Sequence, residues 1–453
     1  MTTILAFVVV IGLLILIHEL GHFIVARLCG VGVERFSIGF GPVLWRVKGK
    51  ETEYCLSAIP MGGYVKMMGD DENPLEGGKG ELVDPAKSFH LKPLLARFGI
   101  VFAGPGMNFV LAAVIFAVVF MVVGRPVLPA VLGRVAEDGP AARAGLRLGE
   151  RLAAVDGRPV QYWHEVLRAV QDGGGRPMGL TVSGPGGERT VTVTPSRITV
   201  RDVFGDEREA WDLGARPFTP ATIGEVISGY PAAKAGLKQG DTVTAVEGKP
   251  VLSWEDLAET IYKRAGQPTR LEVRRGQEAL AVSVVPAAVK DRGPDGKEVE
   301  VGRIGISPAP TGVHVRSNPV VAVWEGVSRT AEVTALTAVG LYKIVLGQID
   351  RSNIGGPIQI AVAAGEQARQ GLPSLAFFTA VISVNLALLN LLPVPMLDGG
   401  HLFFFACEAV LGRPLSLRKR EVAQQVGFAL LMLLMVFAVY NDLARIDVFK
   451  FFR

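Results

Sequence analysis

Cysteine is scarce. Cys29, Cys55 and Cys407 are the only three in 453 residues, too few and too scattered for a disulfide framework. A surplus of one charge is missing too: 47 Lys and Arg against 43 Asp and Glu leave a formal +4. The basic residues are explained by topology, which excludes nucleic acid as a partner. No Lys or Arg precedes Arg27. The opening apolar run therefore lacks the basic start of a signal peptide, carries His and Glu inside, and is expected to be retained.

What the chain does have is apolar length. Hydrophobic residues make up 49%, and four runs, about 4–25, 98–123, 374–392 and 424–440, suit the roughly 30 Å of hydrocarbon that a helix of about 20 residues crosses. Arg27, Arg35, Arg46, Lys48, Lys50 and Lys66 follow the first run, and Arg413, Arg418, Lys419 and Arg420 lie between the third and fourth. Such basic loops stay in the cytosol. Both termini and the segment from about 125 to 373 then face the other side, the periplasm in a Gram-negative cell.

That segment contains an internal repeat. Pro140-Ala-Ala-Arg-Ala-Gly-Leu recurs 91 residues later as Pro231-Ala-Ala-Lys-Ala-Gly-Leu, and Trp163 with Glu165 recurs as Trp254 with Asp256. Each copy reads as a short helix, a strand and a tight turn at Asp156-Gly157 or Glu247-Gly248. The pattern resembles bacterial PDZ domains, here at 127–210 and 211–290. PDZ domains commonly capture a peptide as an added strand, but 125–130 and 216–222 lack the glycine-hydrophobic alternation of a carboxylate loop. Peptide binding and a steric filter both stay open.

Between the first two spans, Val33–Phe40, Thr52–Ala58 and Tyr64–Met67 have strand composition, broken at Gly41-Pro42, Gly49-Lys50 and Gly62-Gly63. After the repeats, 291–373 reads as a linker with an amphipathic helix, about Pro319 to Ile349, along the membrane surface. The fold class is thus a polytopic α-helical membrane protein with four transmembrane helices, a small membrane-associated β-sheet and two tandem α/β PDZ domains. Its core is split into 1–126 and 374–453.

The chemistry starts inside the first span. His18-Glu19-Leu20-Gly21-His22 puts two imidazoles on one helical face beside a carboxylate. Two neutral His nitrogens one turn apart can hold one tetrahedral zinc, and the neighbouring Glu can take a proton from water. The bland alternative is a pair of core histidines. However, a charge at the bilayer centre costs about 2.5–3.5 kcal/mol on insertion scales, and a metal offsets that specifically. A third ligand must come from the same depth, and Asp398, in Asn390-Leu-Leu-Pro-Val-Pro-Met-Leu-Asp398-Gly-Gly-His401, is the leading candidate. Asn108, in Ala103-Gly-Pro-Gly-Met-Asn108, reaches the same leaflet from the second span.

HExxH in the first span, Gly-Pro-x-x-Asn in the second and N-x-x-P-x-P-x-L-D-G in the third resemble the site-2 proteases over essentially the whole chain. The repeats point to the bacterial branch acting on anti-sigma factors. The resemblance implies one zinc ion on His18, His22 and Asp398, and Glu19 as general base. Asn390 would hold substrate or stabilise the oxyanion, or else satisfy backbone groups freed by Pro393 and Pro395. It also implies that the strand around Gly62, Gly63, Tyr64, Val65 and Lys66 pairs with an extended substrate. His401 is expected beside the ligands rather than among them, as is Asn108, and His90, His164 and His314 have no ligand-like neighbours. Implied substrates are transmembrane segments already shortened by another protease, anti-sigma factors among them, and remnant signal peptides. A non-catalytic PDZ scaffold and a metal carrier are the competing classes.

Overall fold

The computed structural model describes residues 2–69, 84–184, 186–292, 298–309, 312–348 and 355–445. The expected helix end at Ile349 and the last eight residues of the second core segment lie outside them. In chain order come α1 (Thr2–Leu28), strands β1 (Val33–Lys48) and β2 (Glu53–Met67), and α2 (Leu94–Val122). A β-rich stretch follows with short helices α3 (Pro140–Arg143), α4 (Trp163–Asp172), α5 (Pro231–Lys234) and α6 (Trp254–Tyr262). Then come α7 (Pro319–Val345), α8 (Pro357–Gln370), α9 (Leu372–Asn390), α10 (Asp398–Leu411) and α11 (Leu417–Arg445). The chain divides into a helical unit, Met1–Gly124 with Arg316–Arg453, and a β-rich unit, Arg125–Val315.

In the helical unit α1, α2, α9 and most of α11 are long and apolar enough to cross a membrane. Lipid offers no hydrophobic drive between helices, so close packing through small residues takes over. Gly21 of α1 lies so near α2 that a Cβ there would collide with the Ala103 carbonyl and come within 2.8 Å of Met107 Cγ. Ala112, Phe116 and Phe120 of α2 share a buried cluster with Ala380 and Val384 of α9. At the far end of α11, buried Asp442 accepts from the backbone N–H of Gly356 (2.8 Å), Ile358 (3.0 Å) and Gln359 (3.2 Å). It thereby caps the start of α8, satisfying donors that a helix leaves open.

The helix expected along the membrane surface packs against a span. Helix α7 runs along α2: Ser317 N–H donates to Phe120 O, a Cβ on Gly326 would stand 2.9 Å from Ala117 N, and Val333 joins the cluster around Phe116. Further on, Thr337 Oγ1 donates to Asn385 Oδ1 of α9 at 2.8 Å. The buried stripe Ala322, Gly326, Thr330 repeats every four residues, the small-residue spacing that lets two helices touch. Its charges are accommodated locally: Arg329 pairs with Glu332 at 2.7 Å and lies over the Phe377 ring, and Glu325 accepts from Ser317 Oγ.

Strands β1 and β2 are longer than the sequence breaks suggest, because Gly41-Pro42 and Gly62-Gly63 bend the chain without ending it. Residues 33–38 pair with 63–67 on one side and with 53–56 on the other, while 43–48 pair with 53–57. Among the described residues the segment 63–67 is consequently the last strand on its side of the sheet.

In the β-rich unit the two repeats share one plan. Residues 158–159, 151–155, 178–184 and 187–193 form a four-stranded sheet in that order, and 249–250, 242–246, 269–275 and 278–284 form its counterpart. Asp156 and Glu247 take φ of 47° and 52° in the matching turns. The repeated Glu165 and Asp256 accept from N–H groups at the starts of α4 and α6, which explains their shared offset. Each repeat closes on itself, Leu132–Val135 pairing with Ala215–Pro217 and Ile223–Val226 with Ile306–Pro308. Leu213 and Ala215 thus belong to the first core and Ile304 to the second, beyond the expected boundaries at 210 and 290. Finally Arg125–Val127 pairs with Val313–Val315, joining the two ends of the unit.

Candidate metal centre

The helical repeat of α1 sets His18 and His22 on one side, both buried at 8% exposure. Their Nε2 atoms are 3.2 Å apart. Asp398 opens α10 and turns its carboxylate to them, Oδ2 3.1 Å from His18 Nε2 and Oδ1 3.5 Å from His22 Nε2. The two glycines after it explain how α10 comes so close. A Cβ on Gly399 would strike the Leu391 and Leu392 carbonyls, and one on Gly400 the Val394 carbonyl. A bidentate pair further along α10 fixes it to α2: Arg97 Nη2 donates to Glu408 Oε1 at 2.6 Å and Nη1 to Oε2 at 3.2 Å, with the guanidinium over Phe405.

His18, His22 and Asp398 each offer one ligand atom, all within 4.8 Å of one another. Two ring nitrogens and a carboxylate oxygen facing each other are three Lewis bases with no donor of their own among them unless a ring is protonated there, a set that suits zinc. Asp398 Oδ2 is buried and faces the His18 ring nitrogen at 3.1 Å, as expected of an atom kept for a shared cation. The residues therefore fit the metal that the motif implies. Helix α2 supports both rings. His22 Nδ1 is 2.9 Å from Ile100 O and His18 Nδ1 is 3.3 Å from Asn108 Nδ2, while Gly104 leaves room for them: a Cβ there would clash with His22 Nε2 and lie 2.8 Å from His18 Nε2.

Glu19 lines a cavity of about 160 Å³ together with His22, Asp398 and His401. The edge strand meets it, since a Cβ on Gly63 would stand 3.0 Å from Glu19 Cγ. Val65 and Met67 continue along the same cavity. Tyr64 and Lys66 alternate to other partners, Tyr64 Oη accepting from Arg35 at 3.2 Å and Lys66 pairing with Glu34 at 3.1 Å. Gly62 has φ of 136° and the Phe40 ring against it, a position closed to a side chain. Asn390 ends α9, half-buried, and is not among the residues lining the cavity. His90 and Arg420 do line it. The sequence held no signal for His90, whose neighbours arrive from β2 and α10.

Residues 6–434 match peptidase family M50. Protease RseP of Yersinia pestis is 37% identical over 97% of this chain and 98% of its own. The regulators of sigma-E protease RseP of Salmonella typhimurium and Escherichia coli K12 are each 36% identical, again over 97% of this chain and 98% of theirs. The chain belongs to peptidase family M50. As a member of this site-2 family it is a zinc metalloprotease of the inner membrane. A solved PDZ domain of an SdrC-like protein from Listeria innocua is 19% identical and covers 22% of this chain and 99% of its own, with a TM-score of 0.17.

Proposed function

We propose that this M50 peptidase cleaves transmembrane segments inside the bilayer with one zinc ion held by His18, His22 and Asp398. The observation that carries the reading is the meeting of those three ligand atoms beside a half-buried Glu19 and the strand at 63–67. Zinc in this position supplies a Lewis acid for the scissile carbonyl and makes water more acidic. Glu19 takes the proton of the attacking water and returns it to the leaving amine. No acyl-enzyme forms.

A membrane helix hides its peptide bonds in its own hydrogen-bond ladder. The strand at 63–67 offers the substrate an extended backbone to pair with once it unwinds, and Gly63 holds that strand beside Glu19. Asn390 assists at the end of α9 by holding the unwound backbone or the developing oxyanion.

The two repeats act as tandem PDZ domains in the periplasm, with the metal centre toward the cytosolic side. The basic loops after α1 and before α11 support that orientation. By analogy with the named relatives, substrates are membrane-anchored anti-sigma factors already trimmed by another protease, with remnant signal peptides as a second class. The PDZ pair limits access to such stubs or binds their exposed ends.

Purified protein in detergent, a single-span substrate, Glu19→Gln and a chelated sample test the reading, with zinc content recorded. Cleavage by metal-loaded wild type alone supports it. Glu19→Gln cleaving at the wild-type rate removes Glu19 as base, and zinc-loaded protein that cleaves none of several substrates favours a scaffold.

A further inference from the structure

His18 and His22 enter the metal centre with their Nε2 atoms, 3.2 Å apart and both facing Asp398. A neutral imidazole has one N–H and one lone pair, so an Nε2 that binds a cation requires the proton on Nδ1, and that N–H requires an acceptor. For His22 the acceptor is the Ile100 carbonyl at 2.9 Å, a group that can only accept. For His18 the group within reach is the side-chain amide of Asn108, which is 0% exposed.

An amide can face a ring nitrogen with either end, and its oxygen and nitrogen have nearly the same shape, so the hydrogen bonds decide. With Nδ2 facing it, as in the structure at 3.3 Å, His18 Nδ1 holds the lone pair and its proton sits on Nε2, 3.1 Å from Asp398 Oδ2. That tautomer blocks the ligand atom. With Oδ1 facing the ring, Nδ1–H donates, and Nε2 is free to bind. The other end of the amide makes no hydrogen bond in the described arrangement, so its neighbours do not oppose the exchange. The main chain of Asn108 is fixed independently, its carbonyl accepting from Ser383 Oγ of α9 at 2.7 Å.

We infer that Asn108 is a positioning residue whose amide oxygen accepts from His18 Nδ1–H and so selects the metal-binding tautomer. The inference rests on the proposed zinc site. Both ligand rings are then held from behind by α2, one by a main-chain carbonyl and one by a side chain. Partners of this kind are typically worth 10–100-fold in metal affinity.

The test is zinc affinity, read by competition with a chromogenic chelator on the full chain in detergent, for wild type, Asn108→Asp and Asn108→Leu. Ligand-field spectra of the cobalt-substituted proteins accompany it. A carboxylate can accept but not donate when ionised, so Asn108→Asp should bind zinc within about threefold of wild type and keep its cobalt spectrum. Asn108→Leu, of similar size, should lose about 10–100-fold. Asn108→Asp weakened as much as Asn108→Leu would overturn the inference, because a donor role predicts that pattern. Wild-type affinity in Asn108→Leu would overturn it as well. Should Asn108→Leu fail to fold, the Asn108→Asp result decides alone. A wild-type chain that binds no zinc would instead remove the proposed site itself.

Discussion

Gly104 shows how much of the metal centre depends on a group that is not there. Its missing side chain leaves the space taken by both Nε2 atoms, so Gly104→Ala should displace the rings and lower zinc affinity at least tenfold. Zinc retention after dialysis against a weak chelator checks this, with Gly106→Ala as the control, since a Cβ there meets only the Phe102 ring at 3.5 Å. The grouping of the three candidate ligands was legible in the sequence because HExxH encodes a helical face and Asp398 stands between a proline motif and two glycines. Gly104 was quoted there only as part of a motif, and its space-giving role depends on where α1 crosses α2. His90 is the converse. Its place on the cavity wall arises from chain segments far apart in sequence, and no local pattern records it.

At the scale of elements, α7 was the least legible. Glu325, Arg329, Glu332 and Lys343 lower its hydropathy below that of the spans, and the pattern that remains is equally that of a surface helix. What distinguishes the two is the stripe Ala322, Gly326, Thr330, readable only once α2 is known to lie against it. Gly326→Val should push α7 from α2 and cost about 1–3 kcal/mol, seen as a lower thermal midpoint in detergent. On the flank of that stripe Val327 is 49% exposed. In a chain without native cysteines, Val327→Cys should resist a membrane-impermeant maleimide in intact membranes and react after solubilisation; a helix at the aqueous surface would react in both. The β-rich elements were far more legible, because the 91-residue repeat carried each turn and capping acid with it. One strand in each repeat could be read from the sequence; the hairpins after them, 178–193 and 269–284, and the closing strands at 215–217 and 306–308 escaped, since their sequences differ between the copies.

Within the second repeat, Asp241 is fully buried and receives Arg275 Nε at 2.7 Å and Nη2 at 2.8 Å. The Arg275 guanidinium, followed by the Lys238 N–H, holds its carboxyl below the usual range. A carboxyl lowered on folding stabilises fully above its unfolded value, about 4, and loses that contribution as pH falls toward its lowered folded value. Arg275→Gln should therefore weaken amide-exchange protection in residues 242–284 by about 2–3 kcal/mol near neutrality. The gap to wild type should shrink as pH falls from about 4 downward. A gap that stays constant over that range would show that the pair acts by shape alone.

At the scale of the whole molecule, the division into a helical unit and a β-rich unit separates the chemistry from whatever the repeats recognise. Every ligand atom of the metal centre lies in the helical unit. Replacing residues 128–312 by Asn-Gly would join Val127 to Val313, already paired neighbours, through a two-residue turn. The shortened chain should bind one equivalent of zinc. If the repeats limit access, it should also cleave an untrimmed substrate that the full chain spares; equal discrimination by both chains would place selection in the helical unit.

The pairing of Arg125–Val127 with Val313–Val315 has a historical consequence. A segment that leaves and re-enters the chain at adjacent points, and whose two halves each seal their own ends, behaves as a cassette. Duplication, loss or exchange of a repeat disturbs no strand outside it. A lineage can revise the β-rich unit while inheriting the helical scaffold untouched.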